Sequence, residues 1–407
     1  MLVLGPSVAA PGMTDDAERL ARLALARSVG CGPVLHRRLL ARFGSAREAL
    51  AALSRLVALG RLPRVRPASL ASAEAEWEAA LRAGAHILFW DDPDYPRALA
   101  VLDDPPPVLI ARGRLDLSRR PAVAIVGARN ASGHGRSFAR HLARGVAEGG
   151  LTVISGLARG IDAAAHEGAL GSEASTIAVT ACGIDVAYPP ENEGLLRRIA
   201  EEGLVLSERP MGAEPRAQHF PRRNRTIAGL ACGVVVVEAA EHSGSLMTAR
   251  LAAEFGREVM AVPGTPLDPR HRGTNRLLRE GASLVESAED VLAALAPALS
   301  QGHVPPPTRS PRAGPLRSLV EVGGAREAGI PTPPRGADAP VEDGETAHLS
   351  PLARRVHAFL SPEPLAVDEL VRQCHAPAAE VRQALFELEL EGRIAWHPGN
   401  RVARADG

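Results

Sequence analysis

From residue 123 onward the chain repeats one pattern: a short apolar, mostly β-branched run, then a stretch with helical spacing. The runs fall at 123–126, 151–155, 176–180, 204–207, 234–237, 258–262 and 283–285. Helical patterns lie between them at 133–148, 160–170, 191–202, 224–231, 245–255, 272–280 and 288–297. Runs that are apolar throughout suit strands covered on both faces, and a helix after each strand returns the chain for a parallel partner. The pattern predicts an α/β fold with a Rossmann-like, doubly wound, mostly parallel sheet. Ligands of such sheets bind beyond the carboxyl ends of the strands. The loops 127–133, 155–160, 182–190, 208–225, 239–245 and 263–273 are therefore expected along one edge.

The ends of the chain read differently. Residues 1–14 are expected to be disordered, and 15–84 to form a helical domain. Within the latter, Val29-Gly30-Cys31-Gly32-Pro33 makes a tight glycine turn that fits either a helix-hairpin-helix contact to DNA backbone or plain helix packing. A short strand is expected at 87–90, followed by a proline-punctuated connection over 93–107. The Rossmann-like domain is placed at 85–300. Residues 301–347, rich in Pro, Gly and Arg, lack any hydrophobic period and read as a disordered linker. Helical patterns at 349–360, 365–374 and 377–391, then two short strands around Pro398-Gly399-Asn400, give a winged helix over 348–404.

Composition narrows the chemistry. Lys+Arg and Asp+Glu balance at 47 each, so a polyanion site must come from local clustering rather than bulk charge. Every one of those 47 cations is arginine, which excludes a Walker-A lysine and a Schiff-base lysine. The four cysteines form no C-x-x-C, arguing against a zinc ribbon and for reduced thiols in a cytoplasmic protein. No stretch approaches the roughly 18 apolar residues of a membrane span. No metal or cofactor is expected.

The densest signal is AQHFPRRNRTIAGLACGVVVVEAAEHSGSLMTAR, residues 217–250. Here a basic turn, 219–225, carries Phe220, Arg222, Arg223, Asn224 and Arg225. It precedes a helix, a buried strand and then Ser243-Gly244-Ser245 at the next helix start. Helix N-termini offer N–H groups to anions, guanidinium forks match phosphate oxygens, and an aromatic beside them can stack a base. The first strand ends in Gly127-Ala128-Arg129, where a dinucleotide fingerprint would place a second glycine at 129. That exchange favours a phosphodiester over a buried NAD. Ser155, Gly156 and Arg159 make a second phosphate-friendly loop. Asp162 and His166, four apart, read as a first-turn carboxylate and a structural histidine rather than an acid–base pair, since no third group accompanies them. Together these loops read as a polynucleotide-backbone site without catalytic residues.

The segments VAIVGARNASGHG, ISGLARGIDAAAHEGAL, ACGIDVAYPPEN, SERPMG, HFPRRNRTIAGL, VVVVEAAEHSGSLMTA, VMAVPG and GTNRLLREGA resemble, in order, the DNA-processing protein A (DprA or Smf) family. The resemblance covers about residues 85–290. It implies a cytoplasmic, non-enzymatic protein of natural transformation that binds and protects incoming single-stranded DNA and loads the RecA recombinase onto it. It further implies a homodimer. By position it assigns DNA contact to Gly127, Arg129, Ser155, Gly156, Arg159, Phe220, Arg222, Arg223, Asn224, Arg225, Ser243, Gly244 and Ser245. A tyrosine frequent in the family's first loop is His134 here. Two other readings stand beside it. One is a nucleotide-processing hydrolase of the phosphoribohydrolase group, whose Pro-Gly-Gly-x-Gly-Thr loop is replaced by Pro263-Gly264-Thr265-Pro266. The other is a winged-helix regulator that reads duplex sequence.

Overall fold

Residues 11–59, 65–300, 350–361, 365–374, 376–377, 380–381, 384–385, 388, 393–397 and 401–404 are described by the structure, a computed structural model. Contacts divide the chain into two compact units, Met1–Gly323 and Gly324–Gly407. The expected linker, 301–347, lies outside the described residues, as do residues 1–10.

The first unit opens with helices α1 (Pro11–Arg27), α2 (Pro33–Phe43), α3 (Ala46–Ala58) and α4 (Leu70–Arg82). Helix α1 begins inside the stretch expected to be disordered; Pro11 is at its start, where a missing N–H costs nothing. The glycine turn between α1 and α2 contains Gly30 at φ 78°, a conformation that leaves no room for most side chains. Leu23, Ala24, Ala73 and Ala80 of these helices share a core with Ile87, Phe89 and Ile110 of the sheet.

Nine strands form that sheet: β1 (His86–Phe89), β2 (Val108–Gly113), β3 (Ala122–Val126), β4 (Thr152–Ser155), β5 (Thr176–Thr180), β6 (Leu204–Ser207), β7 (Gly233–Val236), β8 (Glu258–Ala261) and β9 (Ser283–Leu284). Their order is β1-β2-β6-β5-β4-β3-β7-β8-β9. Strands β3 to β9 pair in parallel, whereas β2 runs antiparallel to β6 and β1 antiparallel to β2. The sheet is thus mostly parallel, as expected. Strand β2 is the element the pattern did not foretell. It follows Pro105-Pro106-Pro107, and its short apolar run has no period that separates strand from buried helix.

Side chains alternate across the central strands, and each set finds its own helices. Val123, Ile125, Val235 and Val237 pack against α6 (Gly133–Glu148), α7 (Ile161–Ala169) and α12 (Ala288–Ser300). Ala124, Val126, Val234 and Val236 pack on the other face against α9 (His219–Leu230), α10 (Gly244–Glu254) and α11 (Arg272–Arg279). Both faces are therefore dry.

Helix α9 starts five residues earlier than the expected 224. Pro221 occupies the helix's first turn, where proline is tolerated. The basic segment is accordingly helical rather than a turn, which decides where its arginines point.

The second unit has α13 (Pro351–Phe359), capped by Ser350 Oγ accepting from Ala353 N at 3.2 Å, and α14 (Val367–Cys374). Residues 380, 381, 384, 385 and 388 are helical too. Strands β10 (Leu365–Ala366), β11 (Ile394–His397) and β12 (Arg401–Arg404) form a small sheet in the order β10-β12-β11. Val356, Leu370, Leu385 and Val402 close its core. This is a winged helix.

Candidate nucleic-acid interface

The sheet changes direction between β3 and β7. From β3 the chain continues through β4, β5 and β6 on one side, and from β7 through β8 and β9 on the other. The helices after β3 and β7 lie on opposite faces, so their loops part and leave a crevice at the carboxyl ends. A cavity of about 740 Å³ opens there, lined by residues 126–130 after β3, 240–245 after β7, Phe220, Arg223 and Asn224 of α9, and Arg270 and Arg272. A small adjoining recess is lined by Gly156, Arg159, Tyr188, Arg129, Phe220 and Arg223.

Phe220 is the centre of this arrangement. The guanidinium carbon of Arg129 lies 5.2 Å and that of Arg223 5.7 Å from its ring centroid. Tyr188 meets the same ring at 5.9 Å, tilted by 59°. Two cations on one aromatic give a surface that attracts a base by stacking and its phosphate by charge. The cations differ in availability. Arg129 is exposed and, among the described residues, pairs with no carboxylate.

Arg223 is instead buried, and its Nη1 lies 3.9 Å from Asp162 Oδ2, an ionic contact too long for a hydrogen bond. Its guanidinium fills the space that a side chain at 156 would need, so any larger residue there would have to displace it. Asp162 also accepts from Gly156 N at 3.2 Å. Burial pushes the Asp162 carboxyl upward, against the pull of Arg223 and the surrounding N–H donors. Burial likewise pulls the Arg223 guanidinium down, opposed by Asp162.

The helix starts of α10, α7 and α6 near the crevice are not equivalent. At α10, Ser243 Oγ accepts from Ser245 N at 3.4 Å and lies 2.8 Å from Ser245 Oγ, while Gly244 O accepts from Asn224 Nδ2 at 3.3 Å. At α7, Gly160 adopts φ 79° with its backbone against that of Ala128 and Arg129. At α6, the anion place is already filled. The buried Glu238 carboxylate, just past β7, accepts from Ser132 N at 3.0 Å and from Ser132 Oγ at 2.5 Å, and Gly135 leaves it room. A pyrophosphate needs that helix start, so the fold's dinucleotide seat is closed here.

The structure gathers Gly127, Arg129, Gly156, Arg159, Phe220, Arg223, Asn224, Ser243, Gly244 and Ser245 at the crevice and its recess. Ser155 is adjacent but turned inward, its Oγ donating to Ile125 O at 2.7 Å. Arg222 and Arg225 are carried round α9 to a separate hollow lined by Pro33, Asp104 and Glu208. There Arg225 pairs with Asp104 and lies 4.6 Å from the Phe255 ring centroid. A helical rotation of about 100° per residue separates 223 from 222 and 225. Tyr188, Asn130, Arg270 and Arg272 join the site without having been singled out. Each lies in a loop expected at this edge, but only the folded sheet brings their side chains together.

The description "DNA recombination-mediator protein A" belongs to the family that matches residues 86–296, more than half of the chain. The chain belongs to that family. Its ends match a DprA-like N-terminal HHH domain at 16–79 and a DprA winged helix domain at 340–400. Protein Smf of Synechocystis is 38% identical over 326 residues, 77% of this chain and 79% of the relative. Protein Smf of Escherichia coli is 35% identical over 318 residues, 78% and 77% of the two chains. The solved structure of DNA processing protein A from Streptococcus pneumoniae is 42% identical with a TM-score of 0.50, covering 55% of this chain and 82% of that one. Among the described residues, no helix is long and apolar enough to cross a membrane.

Proposed function

We propose that this chain binds single-stranded DNA in the crevice between β3 and β7, as a cytoplasmic, non-enzymatic recombination mediator. The observation that carries the reading is the exposed Arg129 guanidinium over Phe220, beside the helix start at Ser243. The DNA-contacting set is Gly127, Arg129, Gly156, Arg159, Phe220, Arg223, Asn224 and 243–245, with Ser155 supporting the loop, whereas Arg222 and Arg225 stand apart in the separate hollow. Membership of a DNA recombination-mediator family supports the further steps: protection of incoming DNA during transformation, loading of RecA, and action as a homodimer. Two titratable groups beside the crevice are already engaged, which supports the non-enzymatic reading. Asp162 is committed to backbone donors and Arg223, and both ring nitrogens of His166 are engaged. On this reading 15–84 is a helical domain, 85–300 the DNA-binding domain and 348–404 the winged helix, joined through 301–347.

A salt series on the full-length protein tests it. Single strands of mixed sequence bind more tightly than blunt duplex, because the crevice offers stacking and phosphate contacts but no groove-reading helix. Affinity falls as salt rises, with a log–log slope of about −0.7 for each phosphate neutralised. Equal or tighter binding of duplex moves the site away from the crevice.

A further inference from the structure

Leu157, in the loop between Gly156 and Gly160, has φ 56°. A leucine in the left-handed region crowds its own backbone and persists only where the surroundings hold it. Two side chains hold this one. Its N–H donates to His166 Nε2 at 3.3 Å, and its carbonyl accepts from Asn192 Nδ2 at 2.9 Å.

The histidine's role follows from the hydroxyl behind it. Thr176 Oγ1 donates its single proton to Val153 O at 2.7 Å, so toward His166 Nδ1, also at 2.7 Å, it can only accept. The proton therefore sits on Nδ1, and Nε2 is left as the acceptor that the Leu157 N–H requires. This chain of three hydrogen bonds ties the loop to β4 and β5. Asn192 comes from the opposite side, in the turn that also sets Tyr188 against Phe220 and Glu191 3.4 Å from Arg159.

We propose that His166 and Asn192 are positioning residues for DNA binding, which clasp Leu157 in its left-handed conformation and so fix Gly156 and Arg159 at the crevice. The inference rests on the reading of the crevice as a single-strand site. Neither residue touches the DNA. They act through one peptide unit.

The experiment pairs single-strand affinity with hydrogen–deuterium exchange of the Leu157 peptide and with melting, all on the full-length chain. Asn192 is only half-buried, and Asn192→Ala folds with a near-parental midpoint, faster exchange at Leu157 and affinity about three- to tenfold weaker, the factor that one lost hydrogen bond provides. His166→Leu removes the acceptor and weakens binding at least as much. His166→Gln places an amide oxygen near the Nε2 position and restores affinity to within about twofold, which a purely space-filling histidine would not do. Variants that exchange faster at Leu157 yet bind like the parent overturn the inference. So does His166→Gln binding no better than His166→Leu. A parent that binds no single strands overturns the crevice reading and takes this inference with it, whereas parental binding with unmoved variants overturns this inference alone.

Discussion

Arg129→Ala binds single-stranded DNA on the order of 10- to 100-fold more weakly than the parent, with an unchanged melting midpoint. The guanidinium is exposed and has no carboxylate partner among the described residues, so its removal costs the fold little. What is lost is a charge-assisted contact worth about 1.5–3 kcal/mol. Arg129→Lys recovers part of that, because an ammonium keeps the charge but neither the fork nor the flat face over Phe220. The salt dependence of the alanine variant flattens by about one phosphate's worth. Arg225→Ala gives the contrasting result. Its guanidinium is already held by Asp104 and Phe255, so the change lowers stability and leaves affinity close to parental. Parental affinity in a folded Arg129→Ala would place the site elsewhere.

The second large effect is on stability in mild acid. Burial, assisted by Arg22, holds His36 down to about 4, and burial with Arg223 nearby holds His166 down to about 3. Unfolded histidines titrate near 6.5, so below that pH the unfolded chain takes up two protons that the folded chain refuses. Stability from these two groups is complete above pH 6.5 and declines as pH falls toward their folded values. Each proton is worth at most about 1.4 kcal/mol per pH unit, and unfolded histidines are only half protonated at pH 6.5, so the pair removes roughly 3 kcal/mol between pH 6.5 and 5. His219 and His357, also lowered by burial, act in the same direction. Asp162, which burial pushes upward, takes its proton more readily when folded and opposes the loss at the acid end. Chemical unfolding at pH 5, 6 and 7.5 measures the slope, and His36→Leu should reduce it by one proton. A midpoint flat across that range contradicts the burial of both rings as neutral species.

How much of this was legible beforehand depends on what kind of information each feature needs. Strands β3 to β9 could be read because 123–126 or 234–237 are apolar at every position, a pattern that only a doubly covered strand requires. Strand β2 could not, since Val108–Gly113 becomes a strand through antiparallel pairing with β1 and β6, a long-range choice that its own residues do not announce. The identity of the crevice residues was largely visible in the loops, but their division was not. Treating 219–225 as a turn left three arginines equivalent; the helix through Pro221 sends Arg223 inward beneath Phe220 and Arg225 away to Asp104. Tyr188 belongs to a loop more than thirty residues from Phe220, and its place beside that ring is a product of strand order.

The carboxylate of Glu238 at the start of α6 has a consequence for selection among ligands. A helix start with free N–H groups attracts phosphate from any source, small or polymeric. Here that helix start already holds a carboxylate through two hydrogen bonds, so an anion placed there would meet a like charge. Arg129, Ser243 and Arg272 remain along the crevice. The glutamate therefore spends the α6 helix start inside the fold and leaves the exposed Arg129 and Arg272 to set the positive charge of the crevice.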